Sequence, residues 1–578
     1  MLVFLNRFLV MLGVLFILTL ISVGYLIYTV ITVTQTTLPE RIVLEVDLRE
    51  GLDDHADNDV ITRTVLGSSL SLHTLMQALD RAATDERVVG LIARIGDDSI
   101  GIAQSEDVHQ LISRFADGGR FTIAHATSFG EFGPGTIPYY LATGFEEIAL
   151  QPQGMVSLTG ILLESPFGRE ALDEWSIEPE VIKRGVYKSA PEAVTETGYS
   201  EAAREMLTSI LDTFARQLIG DIAERRQLAP ALVQELIDRA PFWHVDALDT
   251  GLVDRLAYFD EIEDDARERG GEGTEVVPVG VYLDAASVGE SGDADTTVAL
   301  VYANGPIEQG GGSPRTPVRD ASMGADAVVE AIEQAIDDEV DVLVLRITSG
   351  GGSVIASETI RRGTRRAQEA GINVVVSMGN VAASGGYWIS ADADSILANR
   401  GTLTGSIGVF AGKFVTEGFW ANLGVRWDQI GFGANANMWS GSRPYSEPGR
   451  ARVESVLDTI YNTFIGVVAN GRDIPRDQVR QIAEGRVWAG AQAIDLGLID
   501  RLGGLQDAIM VGTQAVGGNQ PRIVVYPRSE GPLAELLAAT EQVIPGMILE
   551  PLVQAVSQLG GQAGMPSGPA QMHPITVR

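Results

Sequence analysis

The sequence predicts an α/β protein built from two tandem copies of one strand–helix unit. Three observations carry this. Short apolar runs rich in branched aliphatics end in glycine turns, as buried strands do. The same series of segments occurs twice, about 250 residues apart. Between the runs lie segments with apolar residues at helical spacing, so strands alternate with helices and much of the pairing must be parallel.

The chain begins MLVFLNRFLVMLGVLFILTLISVGYLIYTVITV, with no charged residue from Phe8 to Val33. A stretch of that length spans a hydrocarbon core. It exceeds the apolar core of a signal peptide and no A-x-A-like site follows, so residues 1–36 are expected to be an uncleaved, single-pass membrane anchor. Arg7 precedes the stretch and Glu40 follows it. The positive-inside tendency then puts the short N-terminus in the cytosol and the body on the periplasmic, extracytoplasmic side.

The repeat sets the rest of the organisation. RIVLEVDLREGL (41–52) matches TVALVYANGPIEQ (297–309), and VVGLIARI (88–95) matches VDVLVLRI (340–347). A helical face at Leu75, Met76, Leu79 and Ala82 matches Val328, Ala331, Ile332, Ala335 and Ile336. PYYLATGFEEIAL (138–150) matches GYWISADADSILA (386–398), and WHVDALDTGLVDRL (243–256) matches WAGAQAIDLGLIDRL (488–502). The expected division is a first repeat over 41–260, a linker over 261–295, a second repeat over 296–530 and a tail over 531–578. The linker is charged and glycine-rich around one short strand candidate, VVPVGVYL. The tail has an apolar segment and then a Gly/Pro-rich end expected to be disordered.

Composition narrows the function. A net charge of −35 argues against a nucleic-acid partner, because phosphate binding needs a basic face. The absence of cysteine excludes thiol nucleophiles, disulfides and thiolate metal sites, and no metal or cofactor is expected. No histidine falls in the folded part of the second repeat, which argues against a local Ser-His-Asp triad there. Lysines are only three, Lys183, Lys188 and Lys413.

In the second repeat, VDVLVLRI empties into TSGGGSV (348–354), and INVVVSM (372–378) empties into GNVAASGGYWIS (379–390). Ser384 is followed at once by Gly385 and Gly386. A serine on such a turn can project its Oγ while the next N–H faces an oxyanion. The loop at Gly350–Gly352 offers further unobstructed N–H groups. The first repeat has lost both features: Asp98, Ser99 and Ile100 stand opposite the glycine loop, and Thr136 stands opposite Ser384. It keeps instead VIKRGVYKSAPEA (181–193), whose Lys188 stands opposite Ala436. One copy keeps a serine and the other a lysine, so a whole site would form at their interface. A neutral lysine can take the serine's proton, provided burial removes its charge. Val186, Tyr187, Ala190 and Pro191 give Lys188 apolar flanks, and Glu192 and Glu196 must point away from it. Lys413 remains open as the alternative base.

Together TSGGGSVIASE, NVAASGGYWIS, GTLTGSIGVF and GVYKSAPEA resemble the signal peptide peptidase A (protease four) family in its long two-repeat form, over nearly the whole chain. The resemblance implies the Clp-protease/crotonase fold group and a membrane-anchored serine endopeptidase that degrades cleaved signal peptides with a Ser-Lys dyad shared between repeats. It implies Ser384 as nucleophile, Lys188 as general base, Ser406 as the residue that orients the lysine, and the N–H groups of Gly351 and Gly385 as oxyanion donors. It also implies peptide substrates, an inner-membrane location and a homo-oligomer, a tetramer. Short-form relatives carry the lysine in the serine's own repeat, in the slot that Ala436 fills here. The family's loop reads S-P-G-G-S, where this chain has Ser349-Gly350-Gly351-Gly352-Ser353. Two other readings are a crotonase-type enzyme acting on acyl thioesters and a non-catalytic membrane scaffold. The anchor and the ASGG turn argue against the first, and the retained Ser384, Lys188 and Ser406 against the second.

Overall fold

The computed structural model describes residues 38–54, 70–97, 100–286, 294–313 and 322–528. The expected anchor and the tail lie outside the described residues. Among the described residues no helix is long and apolar enough to cross a membrane.

Two parallel sheets organise the chain. β1 (Arg41–Leu48), β2 (Val88–Ile95), β3 (Phe121–Ala126) and β4 (Glu147–Leu150) build the first; β5 (Glu178–Arg184) leaves it, and β6 (Arg255–Leu256) and β7 (Thr274–Pro278) return. Its order is β6-β4-β3-β2-β1-β7. The second begins with β8 (Thr296–Asn304), β9 (Val342–Ser349), β10 (Asn373–Ala383) and β11 (Ser395–Ala398). It continues through β12 (Leu403–Gly405), β13 (Val409–Val415), which leaves it, β14 (Val487–Ala489), β15 (Arg501–Leu502) and β16 (Pro521–Tyr526). There β15-β11-β10-β9-β8-β16 repeats the first sheet's order strand for strand; β12 pairs with the end of β10, and β14 pairs antiparallel with β12. The central strands are buried on both faces, which is why they read as continuous rather than alternating apolar runs.

The stretch expected to be a linker is part of the first unit. Residues Phe259–Gly270 form a helix whose Ile262 and Ala266, four apart, are buried against Val43, Ile92 and Ile123. β7 then pairs in parallel with β1. VVPVGVYL is not one strand: β7 ends at Pro278 and a helix runs from Val279 to Ala286. The charges that suggested a linker belong to the helix's outer face.

The two units are joined by polar contacts as well as by a continuous apolar core. Helix α1 (Ile102–Ala116) of the first unit buries Gln104, Glu106 and Asp107 against the second. Asp107 accepts from Arg346 of β9 at 2.7 Å and from Asn399 at 2.9 Å. Asp54 accepts from the same guanidinium at 3.0 Å. Glu106 takes the Gly401 N–H at 2.8 Å and Arg400 at 3.0 Å. Arg346 is 0 % exposed, so its charge is tolerated only because two carboxylates of the other unit meet it. Arg346→Met strands both carboxylates. It is expected to cost about 3–5 kcal/mol, read as a lowered urea midpoint at pH 7. Adding Asp54→Asn and Asp107→Asn should recover most of the loss; an unchanged midpoint in the single variant contradicts the account.

Candidate active site

The site lies where a strand from each unit crosses to the other. β5 of the first unit pairs antiparallel with β13 of the second, from Arg184 opposite Val409 to Glu178 opposite Val415. This ribbon delivers the chain after Arg184 to the serine turn. Gly185, at φ 101°, turns it, and Lys188 follows.

Ser384 sits at the end of β10, at φ 54° and ψ −114°, and caps the helix α2 (Gly385–Ser390). That backbone is strained for a non-glycine residue, as on a sharp strand-to-helix turn that projects its side chain. Its N–H donates to the Gly405 carbonyl at 2.8 Å and its carbonyl accepts from Trp388 at 2.9 Å, which fixes the turn from both sides. The Gly385 N–H opens the helix, where an amide has no intrahelical acceptor. Gly351, at φ 102°, lies against this turn. A side chain there would sit 2.6 Å from the Gly385 nitrogen and 2.8 Å from the Ser384 Cβ. The Gly351 N–H donates at 3.1 Å to Ser349 Oγ, which itself donates to the Gly305 carbonyl at 2.7 Å.

Lys188 is 4 % exposed. Its Nζ lies 3.0 Å from Ser384 Oγ, 3.0 Å from the Ser406 carbonyl and 2.9 Å from Ser406 Oγ. Burial pushes its pKa down to about 7 from 10.5. Three neighbours suit a neutral amine, which has two N–H donors for Ser406 and one lone pair for the Ser384 hydroxyl. Glu192 is turned away, holding Lys183 at 3.2 Å and the Ser200 hydroxyl at 2.8 Å. Without a carboxylate partner the ammonium gains nothing to offset desolvation.

The structure thus brings Ser384, Lys188, Ser406, Gly385 and Gly351 together. Lys413 is elsewhere, donating to the carbonyls of Met438, Ser440 and Arg443 at 3.1, 3.0 and 2.8 Å. Val186 does not cover Lys188, contrary to its reading as a flank: it is 55 % exposed. The cover comes instead from the second unit, where Gly485, at φ 74°, packs on the lysine's backbone. Among the described residues no histidine bonds to these groups. Buried His109 and His125 bond to backbone carbonyls, and burial lowers them to about 3 and about 4.

A serine on a strained turn, helix amides behind it and a desolvated amine within hydrogen-bond reach are the equipment of a serine hydrolase. The model of peptidase family S49 matches residues 134–271 and 366–517, about half of the chain. The chain belongs to that family and is a serine peptidase, which sets aside the acyl-thioester and scaffold readings. It is 30% identical to Protease 4 of Salmonella typhi over 84% of this chain and 80% of the relative. It is 28% identical to a chloroplastic serine protease SPPA of Arabidopsis thaliana over 82% of this chain and 69% of the relative. A putative signal peptide peptidase SppA of Enterococcus faecium is 34% identical over 30% of this chain and 50% of its own.

A Cβ at position 485 would lie 2.7 Å from both the nitrogen and the Cβ of Lys188, and backbone cannot yield as a flexible side chain can. Gly485→Ala is expected to lower turnover by about a hundredfold while circular dichroism stays native. Unchanged turnover would show that Lys188 is not placed by this contact.

Proposed function

We propose that this peptidase works through a Ser-Lys dyad shared between its two units, with Ser384 as nucleophile and Lys188 as general base. The observation that carries the reading is the 3.0 Å contact between Lys188 Nζ and Ser384 Oγ, made by an amine that no carboxylate of the described residues touches. Ser384 Oγ attacks the scissile carbonyl carbon as its proton passes to neutral Lys188. The oxyanion takes the Gly385 N–H, and the Gly351 N–H serves it by sharing or exchanging its bond to Ser349. Lys188 then returns the proton to the leaving amine, leaving an acyl-Ser384 ester. Water, deprotonated by Lys188, hydrolyses the ester and restores both groups. Ser406 holds the amine in either charge state, because its hydroxyl and carbonyl both accept from nitrogen.

Each unit is read as a Clp-protease/crotonase-type domain, the first running from 41 past the expected boundary at 260 to the helix that ends at Ala286, and the second over 296–530. Residues 1–36 are read as the anchor that leaves the body on the extracytoplasmic side of the inner membrane. The substrates proposed are cleaved signal peptides, whose apolar cores suit a peptidase held at the membrane, and the assembly proposed is a homo-oligomer. The relative from Enterococcus faecium whose name states that substrate supports the reading.

Ser384→Ala is expected to lose at least about a thousandfold in kcat/KM on a small peptide, and to lose labelling by a fluorophosphonate. In the wild type kcat/KM should rise with pH through about 7, as Lys188 loses its proton. A limb above about 9.5 would mean an undesolvated lysine, and a limb near 7 that survives Lys188→Met would mean another base. The same burial has a cost in stability. With the folded value near 7 and the unfolded value near 10.5, the unfolded chain binds the extra proton between them, so stability rises with pH across that window. Lys188→Met should therefore be inactive yet melt at a higher temperature at pH 7; a lower melting temperature contradicts the desolvation.

A further inference from the structure

The tripeptide Glu484-Gly485-Arg486 of the second unit forms a cradle for the lysine loop. Glu484 accepts the Tyr187 N–H on its carbonyl at 2.9 Å and the Val186 N–H on Oε2 at 3.2 Å. A side chain on Gly185 would collide with the Glu484 carbonyl carbon at 2.4 Å, and one on Gly485 with Lys188. The Gly485 N–H donates to the Ile407 carbonyl at 2.9 Å, and the Arg486 carbonyl accepts the Ser406 N–H at 2.7 Å. One short segment therefore touches the lysine loop on one side and both ends of the Ser406 turn on the other.

Arg486 closes the cradle. Its guanidinium lies over the Tyr187 ring at 4.8 Å and over the Trp488 ring at 4.5 Å. Both terminal nitrogens bond Glu205, at 2.8 and 2.9 Å, and pull that carboxyl below its usual range. Glu205 is on the long helix Glu201–Arg225 of the first unit. The fork and the flat stack are properties of arginine that lysine lacks. In the repeat alignment the first unit has Arg239-Ala240-Pro241 at these positions, so the cradle belongs only to the copy that meets the lysine.

We propose that Arg486 is a positioning residue for the peptidase reaction: by clamping Tyr187 to Glu205 and Trp488 it holds the lysine loop closed on the serine unit. This rests on Lys188 being the base. The charged and titratable groups around the loop are Glu484, Arg486 and Glu205 from the opposing elements, Tyr187 within it, and the Lys183–Glu192 pair on its own segment. Glu205 neutralises Arg486, and the lowering of the lysine follows from burial rather than from a neighbouring cation. Loss of the clamp admits water to the amine and lets it regain its proton at neutral pH.

The test uses the full-length protein, a small chromogenic peptide, and pH profiles of kcat and KM for Arg486→Met, Arg486→Lys, Glu205→Gln and Lys188→Met. Arg486→Met should lower kcat at pH 7 by about tenfold or more with KM little changed. Its ascending limb should move up by roughly one pH unit, so the deficit shrinks in alkali. Arg486→Lys should move the limb the same way, because it keeps the charge and loses the fork. Glu205→Gln should move it less, and serves as the readout if the Arg486 variants fail to fold. A limb that stays in place in these variants, or one that Arg486→Lys restores fully, overturns the positioning role. If Lys188→Met keeps activity and the same limb, it is the assignment of the base that fails, a result separate from either.

Discussion

A buried lysine amine that bonds no carboxylate of the described residues is the constraint on which the proposed site depends. In the proposed dyad Lys188 must be buried enough to be neutral near pH 7 and close enough to Ser384 to take its proton. Neither condition can be met by the loop that carries it. Val186 and Ala190 face outward, and the carboxylate nearest in sequence is tied to Lys183. The enclosure is supplied by the other copy of the fold: the Ser384 turn, the Ser406 turn and the Glu484–Arg486 segment.

The duplication explains how such a site is built. Two units with the same strand order could each have carried a whole site, but in the proposed dyad each supplies one half. Joining them places a buried arginine, Arg346, between two aspartates of the neighbouring unit, and lays the antiparallel β5–β13 ribbon across the boundary. A buried ion pair of this kind adds little net stability, yet a register error that separates its partners is strongly penalised. The same network therefore holds the lysine-bearing unit in one position relative to the serine, where a displacement of about 1 Å would matter for proton transfer.

Much of this was legible in the sequence. Parallel strands buried on both faces leave apolar runs such as VLVLRI and NVVVSM, and their glycine exits marked the Ser384 turn. The scarcity of lysine and the mismatch of Lys188 with Ala436 between copies singled out the residue that the fold places 3.0 Å from Ser384 Oγ. What escaped was polar chemistry hidden by burial. Arg346 is the one charged side chain near the end of an apolar run, and nothing in the run shows that two aspartates of the other unit meet it. The helix IAQSEDVHQ encloses Gln104, Glu106 and Asp107, which its polar composition does not announce. The stretch over 261–295 read as a linker because its charges outnumber the two apolar residues, Ile262 and Ala266, that anchor its helix. Gly485 and Arg486 were findable, since the copies differ there too, but only the fold shows that they touch the lysine loop.

The central claim concerns the charge of one amine in a chain that has only three lysines. Lysine labelled with carbon-13 at Cε therefore gives three side-chain signals, and their titration can be followed by NMR without substrate. The account predicts one signal that titrates near 7 and disappears in Lys188→Met. Three signals that all titrate near the ordinary lysine value, about 10.4, would contradict it.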